Sequence, residues 1–288
     1  MSLAVSSDLD DVRTAYVDLL AASLTLRANG PFPTHVTVPT DHGPWHRRIP
    51  QRWLLKRGHA RLMYPIEFDP AADVHGERSI YELPPTIKTM IGQRRLDNLR
   101  RCVTDVIERG VPGDLIETGV WRGGATILMR GILRAYGDHE RRVYVADSFK
   151  GLPPPNPNKY PADLGLDFHL HEPLAVSVEE VKANFERYGL LDDQVVFLEG
   201  WFRDTLPTVA DRTFAVLRLD GDLYESTMDA LAALYPRLSP GGWVIIDDFH
   251  IPACRKAVED YREQHGITEE IEVIDWGVCW QRDAVTAS

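Results

Sequence analysis

Asp114-Leu-Ile-Glu-Thr-Gly-Val-Trp-Arg-Gly-Gly124 is the stretch that decides the fold of this chain. It reads as an apolar strand ending at a glycine turn, followed at once by the helical pattern Ala125–Tyr136. Gly119 permits the tight turn, and Gly123 and Gly124 keep the entrance of the helix open to close approach. The pattern is not G-x-G-x-x-G, so the dinucleotide fingerprint, with its demand for a pyrophosphate cradle, is missing.

Downstream the same alternation continues. The strand Arg142-Val-Tyr-Val-Ala-Asp147 precedes a proline-rich loop, Pro153–Pro161, and a helix over Val178–Tyr188. Strands at Val195–Glu199 and Ala215–Asp220 lead to a helix over Ser226–Leu238, the strand Trp243–Asp248 and a helix over Cys254–His265. Two short strands close the chain, near Ile271–Ile274 and Gly277–Gln281. Near-continuous apolar strands alternating with helices predict a parallel sheet covered on both faces. The last two strands lack an intervening helix, which predicts an antiparallel pair and one reversed strand. The fold class is therefore α/β: a Rossmann-like methyltransferase arrangement with a mostly parallel sheet and one antiparallel strand near the C-terminus.

Upstream the pattern changes near residue 86. A helix is expected around Gln93–Arg109, and an amphipathic one over Asp10–Leu26, with Val12, Tyr16, Leu19, Leu20 and Leu24 near helical spacing. Between them lies a segment rich in Pro, His, Trp and Arg, which reads as a loop or mobile cover. The expected organisation is thus 1–85, an N-terminal helix with a lid, and 86–288, the cofactor-binding domain.

Composition removes several classes. The chain of 288 residues carries 43 Asp and Glu against 32 Lys and Arg, a net charge of −11. That balance repels nucleic-acid phosphates, and no basic block offsets it. No apolar run reaches the roughly 20 residues that span a bilayer. The early apolar stretch from Ala15 follows Asp8, Asp10 and Asp11 rather than a positive region, unlike a secretory signal. Cys102, Cys254 and Cys279 are isolated and odd in number, which points to packing residues in a reducing cytoplasm.

In open α/β sheets ligands bind beyond the carboxyl ends of the strands. There the first strand offers Glu117, suited to a ligand ammonium such as that of S-adenosylmethionine. The second offers Asp147 and Ser148, and an acid at this place accepts hydrogen bonds from ribose hydroxyls. The third ends in Glu199-Gly-Trp-Phe, with aromatic groups able to flank adenine. Each has a plainer reading: a closed βα turn, a loop cap, a core aromatic. Further on, Asp220-Gly-Asp222 and Asp247-Asp248 end two strands. If these strands are neighbours, crowded carboxylates resist ionisation unless a hard cation such as Mg²⁺ joins them. Helix capping is the competing role, chiefly for Asp222. Metal-assisted transfer to a hydroxyl needs positioning and a proton acceptor. Asp220 is the first choice for both ligand and base, with His250 second for the base.

The chain resembles the macrocin O-methyltransferase family, which methylates deoxysugar hydroxyls in antibiotic biosynthesis. Seven stretches carry the resemblance: Thr89–Leu99, Glu117–Gly124, Asp147–Pro153, Gly200–Pro207, Leu219–Thr227, Asp247–Phe249 and Pro252–Val258. It implies S-adenosylmethionine and Mg²⁺, with Asp220, Asp247 and Asp248 as metal ligands. It implies cofactor contacts from Glu117, Asp147, Ser148 and Trp201; Thr118, Gly119, Gly123 and Gly200, at the same strand ends, complete the expected cofactor-binding set. It also implies a small glycosylated acceptor and a homodimer or higher homo-oligomer, while the charge and hydropathy above predict no nucleic-acid or membrane partner. A phenolic or catechol-like acceptor is the alternative, since vicinal oxygens suit the same metal. The segment His42–Glu77, with Trp45, Arg47, Arg48, Trp53 and Tyr64, departs from the family pattern.

Overall fold

The computed structural model describes residues 2–38, 62–70 and 78–283. Helix α1 spans Ser2–Leu24, and strands β1 (Phe32–Val38) and β2 (Leu62–Phe68) pair antiparallel into a small sheet. Regular pairing was not foreseen in this part of the chain. Trp45, Arg47, Arg48 and Trp53 of the expected lid lie outside the described residues; Tyr64 falls within β2.

The main body alternates as the sequence requires. Its elements in order are α2 (Gln93–Glu108), β3 (Asp114–Thr118), α3 (Gly124–Tyr136), β4 (Val143–Asp147), α4 (Val178–Arg187), β5 (Val195–Glu199), the short α5 (Phe202–Thr205), β6 (Phe214–Leu219), α6 (Tyr224–Leu234), β7 (Leu238–Ile246), α7 (Pro252–His265), β8 (Glu272–Ile274) and β9 (Gly277–Gln281). The sheet order is β5-β4-β3-β6-β7-β9-β8. β3, β4, β5, β6 and β7 pair in parallel, while β9 runs antiparallel to both β7 and β8. One strand is therefore reversed, as the missing helix between β8 and β9 predicts.

Alternate residues of each strand face opposite layers. Leu115, Val143 and Val145 point into the core shared with α1 to α4, beside Leu99, Ile127 and Val181. Ile116, Tyr144 and Leu217 point into the other, beside Leu231 and Val258 of α6 and α7. A large apolar side chain buried in this way contributes about 1.5–3 kcal/mol, which is why such strands carry so few polar residues. The three cysteines are buried and free. Among the described residues no helix is long and apolar enough to cross a membrane.

Helix α1 packs on the main body rather than standing apart. Val17, Leu20 and Leu24 are buried, and the Leu24 carbonyl accepts the Lys88 N–H at 2.9 Å. Leu20 lies so close to Gly131 on α3 that a Cβ there would sit 2.2 Å from its Cδ2. Of the apolar residues read as the helix's inward stripe, Leu20 and Leu24 are inward. Val12, Tyr16 and Leu19 point outward with Leu9, because α1 is apolar on two faces and only one meets α3.

Candidate functional site

From β3 the chain winds through β4 to β5 on one side, then returns past β3 to β6 on the other. This reversal opens a crevice at the carboxyl ends of β3 and β6, the usual ligand site of such sheets. Two cavities meet there and share Gly119, Trp121, Asp220 and Asp222 on their walls.

The first cavity is lined by Gly119, Asp147, Ser148, Trp201 and Phe202. Gly119 has φ +83°, and a Cβ there would stand 1.8 Å from the Asp220 carbonyl oxygen. Only glycine lets β3 turn this close to β6. Asp147 accepts the backbone N–H groups of Val120 at 2.8 Å and Phe149 at 2.7 Å, so it fastens the β3 turn to the β4 turn. Burial pushes its pKa up. Ser148 donates to the Gly151 carbonyl at 2.6 Å and shapes the following loop.

The second cavity has a volume of about 370 Å³, and Glu117, Asp220, Asp222, Asp247, Asp248 and His250 are on its wall. Its floor is an ion network that the strand register creates. Glu117 and Arg218 are partners on neighbouring strands, so their side chains lie on one face. Arg218 is 2% exposed and bonds Glu117, Asp220 (2.8 Å) and Asp247. Arg95, from α2, pairs with Asp247 at 2.6 Å and with Asp275 at 3.2 Å.

These pairings sort the acids. Asp247 sits below the usual carboxylate range: two arginines outweigh the burial that would otherwise raise it. Glu117 is pushed up to about 7 by burial, only partly offset by Arg218, and its Oε2 has no partner. Asp220, Asp222 and Asp248 form a cluster whose carboxylate oxygens lie within 4.8 Å of one another. Burial and mutual repulsion raise all three, Asp222 to about 8. The Asp222 N–H donates to Asp248 Oδ2 at 3.1 Å, and Asp222 adopts φ +55°, uncommon for a non-glycine residue. No cationic side chain among the described residues pairs with Asp222 or Asp248.

Two fits follow from the residues themselves. Three converging carboxylates, two of which have no cationic partner among the described residues, suit a hard divalent ion taking oxygen ligands. A buried Glu117 oxygen without a hydrogen-bond partner, on a residue that lines the cavity, suits a ligand ammonium.

The structure thus gathers most of the residues expected at the site. Thr118, Gly123 and Gly200 line neither cavity: Thr118 is fully buried, Gly123 precedes α3 as its N-terminal cap at φ +83°, and Gly200 donates its N–H to the Asp147 carbonyl. Asp247, expected beside Asp220 and Asp248 as a ligand, is engaged by arginines, and Asp222 stands in the cluster instead. His250 stacks on Trp276 with ring centroids 4.7 Å apart, and burial lowers its pKa, so its ring is neutral at pH 7. Sequence reasoning missed Arg95, Arg218, Asp275 and Trp276. The one visible signal was Arg218, a charge inside the apolar strand Phe214–Leu219.

The chain is similar to several known proteins. The macrocin O-methyltransferase family model matches residues 13–282. An 8-demethyl-8-(2,3-dimethoxy-α-L-rhamnosyl)-tetracenomycin-C 4'-O-methyltransferase of Streptomyces olivaceus is 53% identical, covering 81% of this chain and 93% of its own. A mycinamicin III 3''-O-methyltransferase of Micromonospora griseorubida is 54% identical over 74% of this chain and 86% of its own. Among solved structures, the O-methyltransferase NovP superposes with TM-score 0.77 at 44% identity, covering 94% of this chain and 99% of that one.

Proposed function

Because this chain belongs to the macrocin O-methyltransferase family, we propose that it transfers the methyl group of S-adenosylmethionine to a sugar hydroxyl of a glycosylated secondary metabolite, assisted by Mg²⁺. When bound, S-adenosylmethionine supplies an electrophilic methyl group and Mg²⁺ supplies positive charge that stabilises a developing alkoxide. What remains falls to the residues of the chain.

The turn held by Asp147 and Ser148, with Trp201 opposite, forms a slot for the nucleoside. Glu117 faces the amino-acid end, and an ammonium beside its free Oε2 would keep it ionised. Asp220 lines both cavities, so it stands where donor and acceptor meet. Asp220, Asp222 and Asp248 would hold the cation, with Asp247 and Arg218 bracing Asp220 from below.

A proton acceptor works best with a pKa near ambient pH. Asp222, unpaired with arginine, is freer to take a proton than Asp220, which shares Arg218. Neutral His250 on the same wall is the second group able to accept a proton. Closure of the site around these groups would exclude water and fix the hydroxyl in line with the methyl carbon.

The carrying observation is the meeting of two cavities at Asp220, one lined by Asp147, Ser148 and Trp201 and one with the carboxylate cluster. The test is methyl transfer from labelled S-adenosylmethionine to p-nitrophenyl α-L-rhamnopyranoside and to catechol, with and without EDTA. Methylation of the rhamnoside, abolished by EDTA and restored by Mg²⁺, is expected. Preference for catechol would replace the sugar assignment, and activity indifferent to exhaustive chelation would remove the metal.

A further inference from the structure

Large apolar side chains left open to solvent are informative when they line a cavity rather than dot a surface. Among the described residues, the large apolar side chains with strong exposure are Leu9, Val12, Tyr16 and Leu19 on α1, Leu164, Leu170, Val273 and Trp276. Of these, Trp276 alone is on the wall that also carries Asp220, Asp222 and Asp248.

Trp276 is held firmly although it is 37% exposed. It sits in the turn between β8 and β9, just after Asp275, whose φ is +51°. Asp275 is anchored by Arg95, which also grips Asp247 beneath the carboxylate cluster. The Trp276 carbonyl accepts the His250 N–H at 3.0 Å, and the two rings stack at 4.7 Å with planes 35° apart. The Arg95 guanidinium lies 5.9 Å from the indole centroid. These contacts tie the indole to the ion network, so its position is fixed relative to the carboxylates. A large apolar plane kept rigid and partly uncovered, beside groups that activate a hydroxyl, has its most direct use in stacking.

We infer that Trp276 is the platform on which the acceptor's sugar ring lies, setting which hydroxyl reaches the carboxylate cluster. The inference rests on the sugar methyltransferase reading above and adds a specificity-determining residue to it. A pyranose presents C–H groups on one face and hydroxyls around its edge. The electron-rich face of an indole attracts those C–H groups, while the edge stays free for polar partners. Stacking therefore fixes the plane of the ring without consuming the reacting hydroxyl, and polar partners at its edge fix its rotation.

The test uses the full chain with S-adenosylmethionine and Mg²⁺, and methyl α-L-rhamnopyranoside and p-nitrophenyl α-L-rhamnopyranoside as acceptors. Trp276→Leu keeps apolar bulk but removes the ring, and Trp276→Phe restores an aromatic face. The leucine variant is expected to raise KM for both rhamnosides about tenfold and to spread methylation over more than one hydroxyl. The phenylalanine variant is expected to recover most of the affinity and the single product. The calorimetric Kd for S-adenosylmethionine is expected to stay at its wild-type value in both, which separates platform loss from a misfolded site. Rhamnoside KM and product pattern unchanged in the leucine variant would overturn the platform. So would a change of oligomeric state on sizing, with kinetics unaltered, because that makes Trp276 a contact between copies. Wild-type protein that binds S-adenosylmethionine but methylates neither rhamnoside would instead overturn the sugar reading beneath it.

Discussion

Replacing Arg218 by methionine removes a cation from the centre of the sheet while keeping its length and apolar stem. Arg218 is 2% exposed, and two of its three partners, Glu117 and Asp247, are equally out of reach of water. Removing one partner of a buried pair leaves charge uncompensated, which costs about 3–5 kcal/mol. At roughly 2–4 °C per kcal/mol for a domain of this size, melting should fall by about 6–20 °C. The loss has a built-in ceiling, because Glu117 can escape its cost by taking up a proton. Its pKa is already raised to about 7 with the arginine present. Between the ordinary carboxyl range and pH 7 the folded protein therefore holds a proton that the unfolded chain has released. Ionising Glu117 thus costs stability as pH rises through that window. Within that window Glu117 of the folded protein is neutral and needs Arg218 less, so the variant's deficit should be larger at pH 8 than at pH 5.5, by about 1–2 kcal/mol. Urea denaturation of both proteins at the two pH values, in EDTA so that cation binding does not contribute, measures this. A deficit below about 1 kcal/mol at pH 8, or one that does not change with pH, would show that water reaches the network and that the register-built ion cluster is not what holds the floor of the site.

Two further outcomes check other links. Asp222→Asn should bind S-adenosylmethionine as before by calorimetry while turnover falls about 100-fold or more, since general-base catalysis contributes that much; turnover within threefold of wild type would clear Asp222. Gly119→Ala must place a methyl group where the Asp220 carbonyl stands, at an unfavourable positive φ. It should cost about 2–5 kcal/mol in chemical denaturation and weaken S-adenosylmethionine binding; a variant as stable as wild type would mean β3 and β6 approach less closely than described.

Much of the fold was legible because it depends on local pattern. The glycine turn after Glu117, the apolar runs and the missing helix between the last two strands each constrain only near neighbours. They fixed an α/β sheet with one reversed strand. They also showed which acids end strands, and the family resemblance carried the chemistry further, to a methyltransferase.

Which charges each acid meets was decided by tertiary structure. Asp247 and Asp248 follow β7 directly and both line the second cavity. The sequence presents them as a pair, but Asp248 joins the cluster with Asp220 and Asp222, while Asp247 is paired with Arg95 and Arg218. Arg218 itself comes opposite Glu117 because β6 lies beside β3, although 101 residues separate them. Trp276 reaches the cavity because Arg95, on a helix near residue 95, fastens the turn at Asp275. Pattern along a chain reports what each residue prefers to face. Electrostatics depends on which charges stand within a few ångströms, and that distance exists only once strand order and register have been chosen.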